Sequence, residues 1–170
     1  PRQRLVAALR RASLAEQTTH YAQAIVAANA ALALAATQHD PAAEIEAQRI
    51  AGRSHWWRGE LDLARRYYLH ALRKARALPA PDAVAACLVH LGVACWSVDD
   101  LAGADAAFGE VRDSALGRES PFLRAAALMG LGMVACARRD YSEAEGKLDA
   151  ALRPWWETVT VQSWCQGPGA

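Results

Sequence analysis

The chain has 170 residues and a formal net charge of +1, which removes the electrostatic case for nucleic acid or an anionic membrane as its main partner. With 53% hydrophobic and 22% charged residues it has the means to bury a core and is not a disordered segment. Its four cysteines (Cys87, Cys95, Cys136, Cys165) are too few and too scattered for a disulfide scaffold, so reduced thiols and a cytoplasmic location are expected.

In chain order, the start carries Arg2, Arg4, Arg10 and Arg11 but neither a Met nor the apolar core of a signal peptide. No recognition helix accompanies these arginines, and a solvated face or contact with a preceding domain is the expectation. The end, Gly167-Pro168-Gly169-Ala170, completes the reading of the chain as a piece of a longer protein. The most apolar stretch, Tyr21 to Thr37, is interrupted by Gln23 and Asn29, so no membrane span is expected.

That stretch opens a pattern that recurs. His20-Tyr21-x-x-Ala24, Glu60-Leu61-x-x-Ala64, Asp100-Leu101-x-x-Ala104 and Asp140-Tyr141-x-x-Ala144 begin 40 residues apart. Ala12, Gly52, Gly92 and Gly132 keep the same beat, as do Pro41, Pro81 and Pro121, and Ala28, Tyr68, Phe108 and Leu148. A fixed period of this size is the signature of stacked repeats, and it outranks any local motif.

Each period holds two helical patterns. The first unit, about 2–40, is the least regular, with Arg11-Ala12 where later units have an apolar residue and Gly. The second, 41–80, carries Ile50, Gly52 and His55, then Leu61, Ala64, Tyr68 and Ala71. In the third, 81–120, Pro81-Asp82 opens a helix to about Ser97 with Leu88, Leu91, Gly92 and Cys95 on one face. Asp99-Asp100 caps the next helix, which fades near Gly117. The fourth, 121–153, repeats Leu128, Leu131 and Gly132, then Tyr141, Ala144, Leu148 and Ala151. Residues 154–170 are expected to be a capping helix or a truncated fifth repeat. Trp155, Trp156 and Trp164 would cover the end of the stack, or leave it free for self-association. Thr158-Val159-Thr160-Val161 alternates too briefly for a strand.

A glycine inside a helix costs about 1 kcal/mol relative to alanine. One that recurs at Gly52, Gly92 and Gly132 therefore implies a close approach, with Ala64, Ala104 and Ala144 expected as the small partners. Tyr68, Phe108 and Leu148 are expected to fill the space between hairpins.

Leu91-Gly92 with Asp100-Leu101-x-x-Ala104-x-x-x-Phe108 resembles the tetratricopeptide repeat. Gly59-Glu60-Leu61-x-x-Ala64-x-x-x-Tyr68-x-x-Ala71-Leu72 and the Leu131-Gly132, Asp140-Tyr141-x-x-Ala144, Ala151-Leu152 set resemble it too. The resemblance runs over roughly residues 5–153, with a period of 40 in place of the usual 34. It departs at Gln48, where a large apolar residue is usual, and at His55, Cys95 and Ala135, where a tyrosine is. The long period is similar to that of the repeat arms of maltose-activator-type bacterial transcription regulators and signalling ATPases.

The resemblance implies an all-α, right-handed solenoid of helix-turn-helix repeats that works as a non-catalytic binding module within a larger regulatory protein. The alternative it implies is a small-ligand-sensing arm of such a regulator. It places the contact surface on the first helix of each unit. By phase that surface takes Arg49, Arg53, Trp56 and Trp57 from the second unit, Val89, Val93 and Trp96 from the third, and Met129 and Met133 from the fourth. Leu9, Ser13, Glu16 and Gln17 would extend it into the first. Trp and Arg are favoured interface anchors, and Met surfaces tolerate varied ligands. Arg49 and Arg53, one turn apart, would hold an acidic group, and Trp56, Trp96 and Met133 an apolar one. The expected partner is a protein or peptide segment in the concave groove, or a small apolar or acidic ligand. A core role for these Trp and Met side chains is the competing reading.

Other chemistry finds little support. Gly130-Leu131-Gly132-Met133-Val134-Ala135 matches G-x-G-x-x-A but falls inside a helix, where a dinucleotide site would need a strand before it. The histidines His20, His39, His55, His70 and His90 lack metal-ligand spacing. No nucleophile has an evident base. Neither a cofactor nor a metal is expected.

Overall fold

The computed structural model describes the backbone of residues 2–165 and the side chains of residues 2–153. Within these the chain forms helical hairpins and no strand. The hairpins are α1 (Arg2–Gln17) with α2 (Tyr21–Thr37), α3 (Pro41–Trp57) with α4 (Leu61–Arg76), α5 (Pro81–Ser97) with α6 (Leu101–Asp113), and α8 (Pro121–Ala137) with α9 (Tyr141–Cys165). A single-turn helix, α7 (Ala115–Glu119), lies between α6 and α8.

Local chemistry fixes these ends. Pro41, Pro81 and Pro121 each take the first helical position, where the missing N–H costs nothing. The Asp40, Asp100, Ser120 and Asp140 side chains accept from backbone amides three residues on, at 3.0, 2.9, 3.3 and 3.0 Å. Asp100 is thus the cap, while Asp99 before it makes the turn.

That turn has one geometry in every hairpin. Thr19, Gly59, Asp99 and Arg139, 40 residues apart, have φ of 61°, 75°, 61° and 64°. In each case the next residue donates its N–H to the carbonyl five back: His20 to Ala15, Glu60 to His55, Asp100 to Cys95 and Asp140 to Ala135, at 2.7–3.0 Å. This is the helix-ending motif that favours glycine, yet only one unit uses it.

The hairpins stack in order. Each second helix packs on the first helix of the next unit, and successive first helices α1, α3, α5 and α8 also touch one another. Successive second helices stand farther apart and, among the described residues, meet only through long side chains, as in the Tyr67–Asn29 hydrogen bond from α4 to α2 and the Arg76–Glu110 pair from α4 to α6. The chain is therefore an all-α solenoid whose first helices lie on the tighter, inner side. The main core runs through α3–α6 and α8, with Tyr68, Leu88, Leu91, Phe108, Val111 and Leu131 at its centre. Around α1 and α2 the core is largely alanine.

The repeating glycines correct one expectation. A Cβ on Gly52 would fall 2.7 Å from the Tyr68 ring, on Gly92 2.7 Å from Phe108, and on Gly132 2.9 Å from Leu148. The glycines make room first for the large residue of the partner helix; of the expected small partners, Ala144 comes near through its carbonyl oxygen, 3.5 Å from a Cβ on Gly132. Phe108 also meets Gly130 of the next unit, so it does fill the space between hairpins. In the first unit Ala28 stands where the aromatics do, so Ala12 keeps its Cβ with no exposed surface.

The α6 helix stops sooner than the sequence pattern suggests. Ser114 turns extended (ψ 157°), and its Oγ caps α7 at the Gly117 amide, 2.9 Å away. A Cβ on Gly117 would lie 1.9 Å from the Val111 carbonyl oxygen, so the break requires glycine there. At the other end, α9 continues through position 153, so the boundary drawn there and the Thr158–Val161 stretch both fall inside one helix. The side chains of Trp155, Trp156 and Trp164 lie outside the described residues. No helix among the described residues is long and apolar enough to cross a membrane.

Candidate functional site

The inner face carries the residues that share a phase one step from the core row. On α3 these are Arg49, Arg53 and Trp56; on α5, Val89, Val93 and Trp96; on α8, Met129 and Met133. Trp56, Val89, Val93 and Trp96 are half-buried and pack on the main core with one side. Met133 is half-buried, and Met129 is 49% exposed. The aromatics thus serve core and surface together.

Trp56 reaches from α3 to α5, where its Nε1–H donates to Ser97 Oγ at 2.8 Å; Ser97 Oγ–H in turn donates to the Val93 carbonyl at 2.8 Å. Trp57, 59% exposed, is displaced toward the hairpin end. It meets Trp56 edge-on (4.8 Å, 77°) and lies parallel to Tyr21 of α2 at 6.0 Å. The Trp57 side chain therefore belongs to the rim rather than to the floor.

Both arginines already hold carboxylates of this chain. Arg53 makes a two-pronged pair with Glu16 of α1, its second prong being 2.6 Å long. Its side chain is 25% exposed and that of Glu16 11%. The Glu16 carboxylate holds the guanidinium above its ordinary range, against the opposing effect of burial. Arg49 Nη1 pairs with Glu46 one turn away at 2.6 Å, while its buried Nε has no partner. The inner face around α1 and α3 is consequently close to charge-neutral.

Behind this pair lie two residues that sequence reasoning did not assign to the surface. His90 stacks on Tyr68 (5.4 Å, 27°), and its Nδ1–H donates to the Ala86 carbonyl at 2.6 Å. Burial pushes the His90 pKa down to about 4, with Arg49 and Arg53 adding to the fall and Glu16 opposing it. Burial likewise raises the Tyr68 hydroxyl far above its ordinary value. The signal was there: His90 shares a phase with Ile50 and Gly130, so it is a polar residue in a packing row.

Other sequence candidates take structural places. His55 is buried, stacks on Tyr67 at 5.1 Å and meets Glu60 through Nδ1. Gly130 and Gly132 of the G-x-G-x-x-A string lie inside α8 against Phe108 and Leu148. Cys87 and Cys95 are buried and unpaired, and burial raises the Cys87 thiol to about 11. Among the described residues no three His, Cys, Asp or Glu side chains converge on a common point.

These features define a helical-repeat protein. No protein-family model matches the chain, and no curated protein matches it. Among solved structures, the crystal structure of BtubC (BKLC) from P. vanneervenii is similar, with a TM-score of 0.72 and 20% identity over 94% of this chain. This chain covers 63% of BtubC, and the likeness is one of fold.

Proposed function

We propose that the chain is a non-catalytic, tetratricopeptide-like binding module that takes a protein or peptide segment along the inner face of its first helices. The observation that carries this reading is the row of half-exposed apolar side chains crossing three helices: Trp56 on α3, Val89, Val93 and Trp96 on α5, and Met129 and Met133 on α8. Contiguous apolar surface of this kind marks contact sites. With Arg49 and Arg53 neutralised by Glu46 and Glu16, the chemistry favours an apolar segment over an acidic one. The unpaired thiols of Cys87 and Cys95 suit a reducing, cytoplasmic setting.

The test is selection from a random peptide library on the immobilised chain, followed by tryptophan fluorescence titration. Trp57→Ala and Met129→Ala remove exposed side chains and should leave melting within a degree or two. Trp96→Ala and Met133→Ala should weaken the selected apolar peptides most. Selected peptides that bind these variants as well as the parent would overturn the reading.

A further inference from the structure

We propose that the outer cleft between α2 and α4, floored by α3, is a binding site for a small carboxylic acid with an aromatic or branched apolar body and a second polar group. The site is separate from the inner face and does not depend on its role.

The cleft is a space of about 290 Å³ lined by Leu32, Gln48, Leu63, Arg66, Tyr67 and His70. It exists because α2 is built mostly of alanine, whose short side chains leave the gap to α4 open, and because the backbones of the two outer helices stand apart, bridged by the Tyr67–Asn29 hydrogen bond. At about 30 Å³ for each water-sized group it has room for roughly ten heavy atoms. Leu63, Arg66, Tyr67 and His70 are spaced i, i+3, i+4 and i+7, one face of α4.

Gln48 is the observation that points to a ligand. It is 95% buried, since only 5% of its surface is exposed, and its Oε1 has no hydrogen-bond partner. The next two units place Leu88 and Leu128 at this phase, so the fold itself asks for an apolar residue. A buried carboxamide without a partner is destabilising unless something else satisfies it. Rotation about its last torsion lets it meet either a donor or an acceptor.

The mouth of the cleft is cationic. Arg66 has no ion-pair or hydrogen-bond partner among the described residues. Arg73 donates to His70 Nδ1 at 3.1 Å, which leaves His70 Nε2–H free to donate outward. Tyr67 gives a flat wall, held by its hydroxyl donating to Asn29 at 3.0 Å across the cleft. A carboxylate at Arg66 and His70, a ring between Leu32, Leu63 and Tyr67, and a hydroxyl or N–H at Gln48 together satisfy every unpaired polar group there.

The probes are 4-hydroxyphenylacetate and indole-3-acetate, titrated at up to millimolar concentration into the full chain and followed by ¹H–¹⁵N NMR. Gln48→Leu identifies the Gln48 side-chain amide by its disappearance. The expected result is a saturable shift of that amide and of the backbone of residues 63–70, with the tryptophan indoles of the inner face unmoved. The uncharged amide analogue and Arg66→Ala should each bind at least tenfold more weakly. Gln48→Leu should abolish the shifts while melting at the same or a higher temperature. Absence of any saturable shift with both probes, shifts centred on Trp56 and Trp96, or undiminished binding by Gln48→Leu would each overturn the proposal.

Discussion

The Phe108 ring occupies the space that a side chain on Gly92 would need: a Cβ built there would lie 2.7 Å from two ring carbons. Phe108 is 1% exposed and meets Gly130 on its other side, so the ring has nowhere to move. Gly92→Ala gains about 1 kcal/mol in helix propensity but overpacks a closed core by about 1–3 kcal/mol. We expect a net loss of up to about 2 kcal/mol by urea unfolding. Adding Phe108→Ala, which recreates the first unit's pairing of Ala12 with Ala28, should remove the overpacking cost of Gly92→Ala in that background.

The pairing of Arg53 with Glu16 joins α1 to α3 across 37 residues of sequence. Both groups are mostly shielded, so Glu16→Gln leaves a half-buried guanidinium without its counter-charge. The expected cost is about 2 kcal/mol, between the exposed and fully buried limits. Glu16→Gln with Arg53→Gln should recover part of it. Chemical denaturation of the single and double variants checks both.

His90 makes stability depend on pH. Its folded pKa of about 4 lies below the unfolded value of 6.5, so between these limits the unfolded chain binds the proton and the folded one does not. Its contribution is complete above pH 6.5 and is lost as pH falls toward 4. At about 1.4 kcal/mol per pH unit the loss by pH 4.5 reaches about 2–3 kcal/mol. The slope of unfolding free energy against pH in this window should flatten in His90→Leu. An unchanged slope would show that His90 is accessible to protons in the fold.

Thr19 holds φ 61° at a turn where the second unit has Gly59. For a β-branched residue that conformation costs about 1 kcal/mol or more, and Thr19 is exposed. Thr19→Gly should therefore raise stability by about 1 kcal/mol. Thermal melting gives the answer, with Gly59→Thr as the opposite case.

Helix positions and repeat phase were legible because each boundary has its own local chemistry. Pro41, Pro81 and Pro121, and the caps Asp100 and Asp140, speak for themselves. The left-handed turn at Thr19, Asp99 and Arg139 was hidden because those residue types do not advertise it. The role of the repeating glycines was half legible: their spacing showed a close approach, while which atoms approached needed coordinates. The inner surface was readable by phase, but the pairing of Arg53 to Glu16 was not. Residues of adjacent units meet there through the stacking offset, which the periodicity does not encode. Gln48 stood out as a departure from an apolar row, and only the alanine-built face of α2 turned that departure into a cleft.

The units share a period without being interchangeable. Each second helix presents a side chain of its own size to the next unit: Ala28 shares a cluster with Ile50, Tyr68 lies on His90, and Phe108 fills the space over Gly130. Removing residues 41–80 would set Ala28 beside His90 and strand a histidine, and removing 81–120 would leave Tyr68 facing the hollow at Gly130. Order along the stack is thus written as a series of volumes. Register errors and exchanged hairpins are rejected at the interfaces themselves, with the turns left free to vary.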